Sequence, residues 1–410
     1  MSKPKIRFKG YEEDWEQRKL GDIAEFSKGS GYSKGDLIES GTPIILYGRL
    51  YTKYETSISE VDTYVAAKDG SVYSKGGEVI VPASGETAED IARAATVDKS
   101  GVILGGDLNV VSPNEDINSA FLAISISHGN SQRELAKKAQ GKSIVHIHNE
   151  EIKNLVVPFP TKAEQNKIVE YFSSLDNLIT LHQRKCEETK KLKKYMLQKM
   201  FPQNGKRVPE IRFVGFTEDW EQRKFGNVTE LKSASRVHKE EWTTSGVPFY
   251  RSSDVMAAIN GTENEKVYIS EALYEKLSSI SGKLEAGDVL VTGGGSVGKP
   301  YIVPNNEPLY TKDADLLWIK NQGKFHPYFL YEFFFTPTFR SYLSSISHVG
   351  TIAHYTITQL SETPICLPSV GEQQKIGDYF YNIDHLITLH QRKYEELQKI
   401  KKFMLQNMFI

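Results

Sequence analysis

The hydrophobic pattern of the chain alternates between short extended runs and long helical stripes. Short apolar runs bounded by Gly, Pro, Ser and Asp recur before residue 160 and again between 203 and 370, as in Glu78–Pro82 and Val289–Thr292. Runs of this length with turn residues between them predict strands in mixed α and β domains. Ser119–Ser125 and the aromatic-rich stretch 327–343, which Pro337 divides, predict helices.

Two long stretches carry a different pattern, in which apolar and semi-polar side chains recur every three or four residues. Within 161–202 these are Ile168, Phe172, Leu175, Ile179, His182, Cys186, Thr189, Met196 and Met200, and within 371–410 they are Ile376, Phe380, Ile383, Ile387, His390, Tyr394, Leu397, Met404 and Met408. The spacing predicts two coiled-coil helices. Antiparallel pairing is favoured because an internal twofold would make the two contacts alike.

The chain also repeats itself. Residues 6–19 return as 211–224, and Leu-Ile-Thr-Leu-His-Gln-Arg-Lys occurs at both 178–185 and 386–393. Between these repeats the two halves diverge almost completely. We therefore predict a globular domain over 1–160, a helix over 161–202, a linker and second globular domain over 203–370, and a second helix over 371–410.

Composition and charge narrow the class of protein. The chain is 39% hydrophobic with a net charge of −1, which fits a globular protein without general affinity for nucleic acid. Neither a membrane span nor a secretory signal is visible, so we expect a cytoplasmic location. Cys186 and Cys366 are too few for a disulfide framework or a zinc site.

Charge is distributed unevenly along the chain. Residues 162–199 carry nine Lys and Arg against five Asp and Glu, and residues 21–158 carry thirteen Lys and Arg against nineteen Asp and Glu. Any DNA binding would therefore depend on local basic clusters.

Several motifs that suggest catalysis lack an essential part. Gly293–Lys299 satisfies G-x-x-x-x-G-K, but Pro300 stands where a P-loop needs Ser or Thr, and the residues after it read as extended. The same segment contains G-x-S-x-G without the helix that a nucleophile elbow requires. His146 and His148 have no evident third ligand for a metal. We expect no catalysis and no cofactor. The segment is interpreted as a flexible loop that brings backbone and Lys299 close to a ligand, with a plain surface loop as the alternative.

Polar, basic and aromatic residues follow the repeated Trp15 and Trp220 motifs at similar distances. Such side chains contact base edges and phosphates, although any one of them alone is compatible with an ordinary solvated surface. The residues that we predict to bind DNA are Lys28, Lys34, Tyr47, Arg49 and Lys53 in the first half and Lys232, Arg236, Tyr250, Arg251 and Ser252 in the second, with Lys142, His146, Lys299 and His354 from the repeated and glycine-rich segments. Arg49 and Arg251 are each expected to read one half-site.

The repeated motifs resemble those of the specificity subunits of type I restriction-modification systems. They are Glu13–Gly21 and its copy Glu218–Gly226, Pro158–Pro160 before Glu164–Ile168 and its copy Leu367-Pro368 before Glu372–Ile376, and Gly141–Ile147 with its counterpart Gly350–Tyr355. The resemblance covers the whole chain. It implies an α+β fold with two target recognition domains of mixed α/β structure, joined by two long helices in an antiparallel coiled coil with a pseudo-twofold internal repeat.

The same resemblance implies a non-catalytic subunit that binds double-stranded DNA and reads a bipartite, asymmetric site. Its partners would be two methyltransferase subunits and two restriction subunits, which would use S-adenosylmethionine, ATP and magnesium to methylate adenine or cleave DNA. A bivalent protein scaffold without DNA specificity is the alternative, and it would show no salt-dependent DNA affinity. A further alternative is an independent hydrolase or NTPase that uses the Gly293–Lys299 loop.

Overall fold

The computed structural model describes residues 3–141, 144–203, 205–312, 315–346 and 354–409. The chain forms two compact units, the first made of residues 1–182 and 392–410 and the second of 183–391. Both long helices are therefore shared between the units, and the four-part division expected from the sequence stays a prediction. Within the described ranges, no helix is both long and apolar enough to cross a lipid bilayer.

The first unit contains the elements that follow the first copy of the repeated motif. Its helices are α1 (Arg49–Thr52), α2 (Ala88–Ile91), α3 (Ser119–Ser127), α4 (Gly129–Lys138), α5 (Asn149–Lys153) and the start of α6 (Lys162–Lys199). Its strands are β1 (Glu16–Lys19), β2 (Ala24–Lys28), β3 (Leu37–Ile38), β4 (Thr42–Ile45), β5 (Ser57–Ile58), β6 (Tyr64–Val65), β7 (Glu78–Pro82), β8 (Ser84–Gly85), β9 (Ala95–Val97), β10 (Ile103–Leu104), β11 (Leu108–Pro113), β12 (Val145–His146) and β13 (Val156–Phe159).

The second unit contains the elements that follow the second copy. Its helices are α7 (Ser252–Asn260), α8 (Glu271–Ser281), α9 (Pro327–Phe333), α10 (Pro337–Ile346), α11 (Ile357–Glu362) and most of α12 (Val370–Met408). Its strands are β14 (Glu221–Lys224), β15 (Leu231–Ser233), β16 (Trp242–Thr243), β17 (Val247–Tyr250), β18 (Tyr268–Ile269), β19 (Val289–Thr292), β20 (Pro300–Ile302), β21 (Tyr310–Thr311), β22 (Leu316–Ile319) and β23 (Pro364–Leu367).

The two units share a sheet plan although their sequences differ. In the first unit β2, β11 and β7 are neighbours in a five-stranded sheet, and in the second β15, β22 and β19 are neighbours in a four-stranded one. The strands of each trio are antiparallel. In both units the strand of the repeated motif pairs antiparallel with the strand that leads into a long helix, β1 with β13 and β14 with β23. The predicted α+β fold with an internal repeat is confirmed.

In the first unit the start of α6 packs against the end of α12. The rings of Phe172 and Phe409 lie 6.0 Å apart, and Asp176 accepts a hydrogen bond from Lys401 at 2.5 Å. Because residue numbers rise on α6 as they fall on α12, the two segments are antiparallel, as predicted. Phe409 also lies 6.4 Å from the ring of Trp15, so the repeated Trp is buried beside the helix pair.

The second unit repeats this packing with the helices exchanged. The end of α6 lies against the start of α12, with Phe201 and Phe380 ring centroids 6.1 Å apart and the Cys186 thiol 3.8 Å from the Ile387 carbonyl oxygen. Trp220 packs against Phe201 at 6.0 Å. All the predicted stripe positions of both helices are buried or half-buried, including His182 and His390.

A buried ion pair fixes the repeated motif to its helix in each unit. The Arg7 guanidinium donates two hydrogen bonds of 2.7 Å to the Glu164 carboxylate, and Arg212 does the same to Glu372. The glutamate side chains are fully or almost fully buried. The hydrogen bonds to these carboxylates raise the pKa of both arginines.

Candidate nucleic-acid interface

Three backbone segments meet at one end of the main sheet in the first unit. Ala83, which follows β7, donates its N–H to the Asp107 carbonyl oxygen at 2.8 Å. The Ala83 carbonyl oxygen in turn accepts from the Ile147 N–H at 3.1 Å. The loop after β7, the residue before β11 and the segment after β12 are therefore held side by side.

The second unit has the same arrangement. Gly293, which follows β19, donates to the Asp315 carbonyl oxygen at 2.7 Å and accepts from the Tyr355 N–H at 2.7 Å. Asp315 precedes β22 as Asp107 precedes β11. Two chemically different loops, Ala83-Ser84 and Gly293-Gly294, therefore occupy equivalent places.

Side chains at the first of these edges are polar and are exposed or half-buried. The Ser84 hydroxyl lies 3.1 Å from Nδ1 of His146. Tyr51 donates its hydroxyl to the Ser84 carbonyl oxygen at 2.8 Å, and the Tyr47 ring packs on Tyr51 at 6.2 Å. Tyr47 and His146, which are both predicted to bind DNA, are exposed. They lie on one surface because Tyr47 contacts Tyr51, and Ser84 contacts both Tyr51 and His146.

At the second edge a glycine separates two polar side chains. A methyl group at Gly294 would lie 3.3 Å from Asp315 Oδ1 and 3.9 Å from Nδ1 of His354. Ser252 donates its hydroxyl to the Asp315 carbonyl oxygen at 3.1 Å, and the Lys312 ammonium pairs with the Asp315 carboxylate at 2.5 Å. Ser252 and His354, both predicted from sequence, therefore lie at one site.

The glycine-rich loop is a closed hairpin. The Lys299 N–H donates to the Thr292 hydroxyl at 2.8 Å, and Arg340 donates to the carbonyl oxygens of Val297 and Gly298. A strand, β20, follows the loop where a P-loop or a nucleophile elbow would need a helix, as the sequence predicted. Burial and the neighbouring Arg340 lower the pKa of Lys299, which lies 5.3 Å from the Phe335 ring centre.

Arg49 is bound by groups of its own domain. Its guanidinium donates to Asp62 at 2.9 Å, to Glu55 at 2.7 Å and to the Glu60 carbonyl oxygen at 2.8 Å. Only 8% of its side chain is exposed. These bonds favour a role for Arg49 in stability, and base reading by Arg49 stays a prediction.

Arg251 has the same kind of role in the second unit. It pairs with Asp254 at 3.0 Å, donates to the Glu265 carbonyl oxygen at 2.5 Å and lies 5.7 Å from the Trp242 ring centre. Base reading by Arg251 likewise stays a prediction. The similar distances of Arg49 and Arg251 from the repeated Trp motifs reflect a shared scaffold, in which each arginine stabilises the segment after an equivalent strand.

The other predicted residues are distributed over the surface of the two units. Lys28, Lys34 and Arg236 are exposed. Partners within the protein occupy several others: Lys53 pairs with Asp62 at 3.2 Å, Lys232 donates to the Ser281 carbonyl oxygen at 3.2 Å, and the Tyr250 ring packs on Tyr301 at 5.2 Å. Lys142 lies outside the described residues. Contact of these residues with DNA stays a prediction.

Sequence reasoning missed Ser84, Asp107 and Asp315, which lie at the same two edges. A signal for the aspartates was present, because Asp107-Leu108 and Asp315-Leu316 are related by the offset of 208 residues that relates the two long helices. Two identical residues inside divergent sequence were too few to recognise. In the part of the chain that the structure describes, no group of three or more His, Cys, Asp or Glu is placed to hold a metal ion.

Comparison with known proteins identifies the class to which this fold belongs. The family described as the type I restriction modification DNA specificity domain matches residues 12–191 and again 217–399. Because the two matches cover most of the chain, the protein belongs to this family. It is a DNA specificity component of a type I restriction-modification system, and not a catalytic one.

Relatives and solved structures agree along the full chain. The type I restriction enzyme MjaVIII specificity subunit of Methanocaldococcus jannaschii is 23% identical over 399 residues, covering 95% of this chain and 91% of that protein. The putative MjaX specificity subunit of the same organism is 26% identical with the same coverage. The crystal structure of the S subunit from M. genitalium superposes with a TM-score of 0.61 at 14% identity, over 100% of this chain and 99% of that one. At that identity the superposition establishes the fold alone.

Proposed function

We propose that each unit reads one half of a bipartite, asymmetric DNA site, and that the paired helices set the spacing between the halves. The observation that carries the proposal is the equivalent loop edge of the two units, which one scaffold presents with different side chains. Half-sites one helical turn apart are about 34 Å apart centre to centre. A helix of 38 residues such as α6 is roughly 57 Å long, which is enough to span them.

The long helices are also proposed to recruit two methyltransferase subunits. Large apolar side chains remain exposed on them at positions related by the 208-residue offset: Leu178 matches Leu386, and Tyr195 matches Phe403. Each unit therefore contains one leucine and one aromatic ring of these matched pairs, and the second unit also exposes Leu192, Leu389 and Tyr381. Exposed apolar groups of this kind mark protein contacts, and the matched pair present in each unit supports two equal partners.

The catalytic steps are assigned to partner subunits. The methyltransferase subunits would transfer a methyl group from S-adenosylmethionine to adenine, and two restriction subunits would cleave unmethylated DNA with ATP and magnesium. This chain would bind none of these cofactors itself. Its place of action would be the cytoplasm, where the DNA substrate lies.

Genome-wide mapping of methylated adenines tests the proposal directly. Cells with this chain should carry methylation at a two-part motif that disappears when the chain is deleted. Replacing the globular part of one unit by that of a relative should change one half of the motif only. A scaffold without DNA specificity would leave the methylated motif unchanged in both experiments, and purified chain would show no salt-dependent DNA affinity.

A further inference from the structure

We propose that Asp107 with His146, and Asp315 with His354, form equivalent pairs that each read an adenine in the half-site of its own unit. The inference rests on the proposed function, since it names the base that each edge recognises. It follows from the position, exposure and hydrogen-bonding chemistry of these four side chains.

The pairs are equivalent by position. Asp107 and Asp315 are separated by 208 residues, as are His146 and His354. In the first unit the Asp107 carbonyl oxygen accepts from the N–H of Ala83, which follows β7, and the Ala83 carbonyl oxygen accepts from the N–H of Ile147, next to His146. In the second unit Gly293, which follows β19, makes the same two hydrogen bonds with Asp315 and with Tyr355, next to His354. The acid and the imidazole therefore flank the same loop in both units. Next to the second pair the loop residue is Gly294, whereas next to the first it is Ser84.

Folding does not explain why these side chains recur. The hydrogen bonds that hold the three segments together use only the backbone of Asp107 and Asp315, and the Asp315 carboxylate pairs with its neighbour Lys312. Asp107, His146 and His354 are exposed, and within the described ranges the Asp107 carboxylate has no hydrogen bond or ion pair. Exposed polar residues rarely contribute much to stability. Their presence in both copies points to a ligand feature that both half-sites share.

The chemistry of the pair selects among the bases. An ionised carboxylate only accepts hydrogen bonds, and a neutral imidazole offers one N–H donor. In the major groove adenine presents an N6 amino donor next to the N7 acceptor, whereas guanine presents two acceptors and thymine an acceptor and a methyl group. Cytosine presents a donor alone. Adenine is therefore the single base that matches an acceptor and a donor side by side. A C·G pair matches them only across its two strands, through cytosine N4 and guanine O6, and replacement of adenine N7 distinguishes the two. A phosphate contact is disfavoured because the carboxylate would repel it.

Local geometry supports this interpretation in both units. In the first, the Ser84 hydroxyl lies 3.1 Å from Nδ1 of His146. When Ser84 is the donor of this hydrogen bond, the imidazole proton is on Nε2, where it can be donated to DNA. In the second, the space over Gly294 is bordered by Asp315 Oδ1 and Nδ1 of His354, so both groups reach one point. Lys312 neutralises part of the Asp315 charge, and the other carboxylate lone pairs stay available.

Synthetic DNA tests the pairs without altering the protein. The full chain, assembled with its methyltransferase subunits, would be titrated with duplexes that carry the mapped site. In each duplex one adenine is replaced by 7-deazaadenine, which lacks N7 but keeps its Watson–Crick pairing. We expect one position in each half-site at which this replacement weakens binding roughly 5- to 150-fold, the range for a good base contact.

Variants then assign each position to its pair. His146→Ala should abolish sensitivity to 7-deazaadenine in the first unit's half-site only, and His354→Ala in the other only. Asp107→Ala and Asp315→Ala should relax the preference for adenine at the same two positions. Lys99→Ala is the matched control, because Lys99 is exposed and follows β9 beside the start of β7, at the opposite end of that strand from Ala83. It should leave both sensitive positions unchanged.

Two failures are distinguishable. If the wild-type assembly binds its site selectively but tolerates 7-deazaadenine at every adenine, the adenine-reading pairs are refuted and the proposed function stands. If it shows no preference for any duplex over a scrambled one, the proposed function itself fails. Sensitivity that persists in both histidine variants, with melting temperatures unchanged, also refutes the assignment.

Discussion

Lys401 on α12 forms an ion pair with Asp176 on α6, with 2.5 Å between Nζ and Oδ1. The same pair recurs in the second unit with the helices exchanged, as Lys193 on α6 lies 2.6 Å from Asp384 on α12. Both relationships follow the 208-residue offset. In an antiparallel helix pair these contacts fix the register, because sliding one helix by a turn along the other would break both ion pairs at once.

Reversing the first pair should test this role. Asp176→Lys alone places two ammonium groups together and should destabilise the first unit by about 1–2 kcal/mol, a moderate value because the side chains are partly exposed. Asp176→Lys with Lys401→Asp should recover most of that loss. Denaturant unfolding of the four members of the cycle measures the coupling. A double variant as unstable as the single one would mean that the pair does not set the register.

Removing Arg7 should be far more costly than removing an arginine at the surface. Arg7→Met leaves the Glu164 carboxylate buried without its partner, and we expect a loss of about 3–5 kcal/mol in the free energy of unfolding. Adding Glu164→Leu should restore much of the lost free energy of unfolding, because an apolar pair of similar volume leaves no buried charge without a partner. Chemical denaturation of both variants checks the expectation.

Arg18 provides the matched control for Arg7. It pairs with Glu16 at 2.8 Å, but more than half of each side chain is exposed. Arg18→Met should change stability by less than about 1 kcal/mol. Equal effects of the two substitutions would contradict the view that burial decides the value of these pairs.

The stability of the second unit should fall as pH rises because of Glu332. Its carboxyl is buried, with Oε1 2.7 Å from the Lys193 ammonium, which also donates hydrogen bonds to Asp384. Burial raises the pKa of Glu332 to about 8, with Asp384 adding to the rise and Lys193 opposing it. The folded state then holds a proton that the unfolded state loses above about 4.5. The stabilisation of the folded state by protonated Glu332 is fully present below about pH 4.5, and it is lost as the pH rises through 8.

Glu332→Gln should therefore remove this dependence. The variant should melt at a higher temperature than the wild type at pH 9, and the difference should shrink toward pH 5. Thermal unfolding across that range gives the measurement, with Glu39→Gln at an exposed site as the control. A constant difference between wild type and variant at all pH values would show that Glu332 does not titrate in this window.

Arg49 should act on stability and not on the choice of base. Arg49→Lys cannot keep all three of its bonds and should cost about 1–3 kcal/mol, with an unchanged recognition motif. Arg236→Ala, at an exposed position, should leave stability intact and weaken DNA binding if the sequence prediction for that residue holds. Melting curves and methylated-motif mapping separate the two effects. A changed motif with normal stability for Arg49→Lys would return Arg49 to the DNA-reading surface.

The sequence alone determined the repeat, the two helical stripes and the family. Hydrophobic spacing has a period that depends only on local backbone geometry, so Phe172, Phe380 and the rest of both stripes were predictable. Glu78–Pro82 was predictable as a strand for the same reason. The absence of a P-loop was also a local property, since Pro300 cannot replace the required Ser or Thr.

The tertiary structure decided which polar side chains are available to a ligand. Arg49 and Arg251 resemble DNA-reading residues in sequence, but their charges are neutralised by groups brought near only by folding. Asp107 and His146 are 39 positions apart, and only sheet pairing places their backbones beside the same loop. Neutralising the arginine charges and placing Asp107 and His146 beside one loop both require contacts between segments that are distant in sequence. The packing of the whole domain sets those contacts.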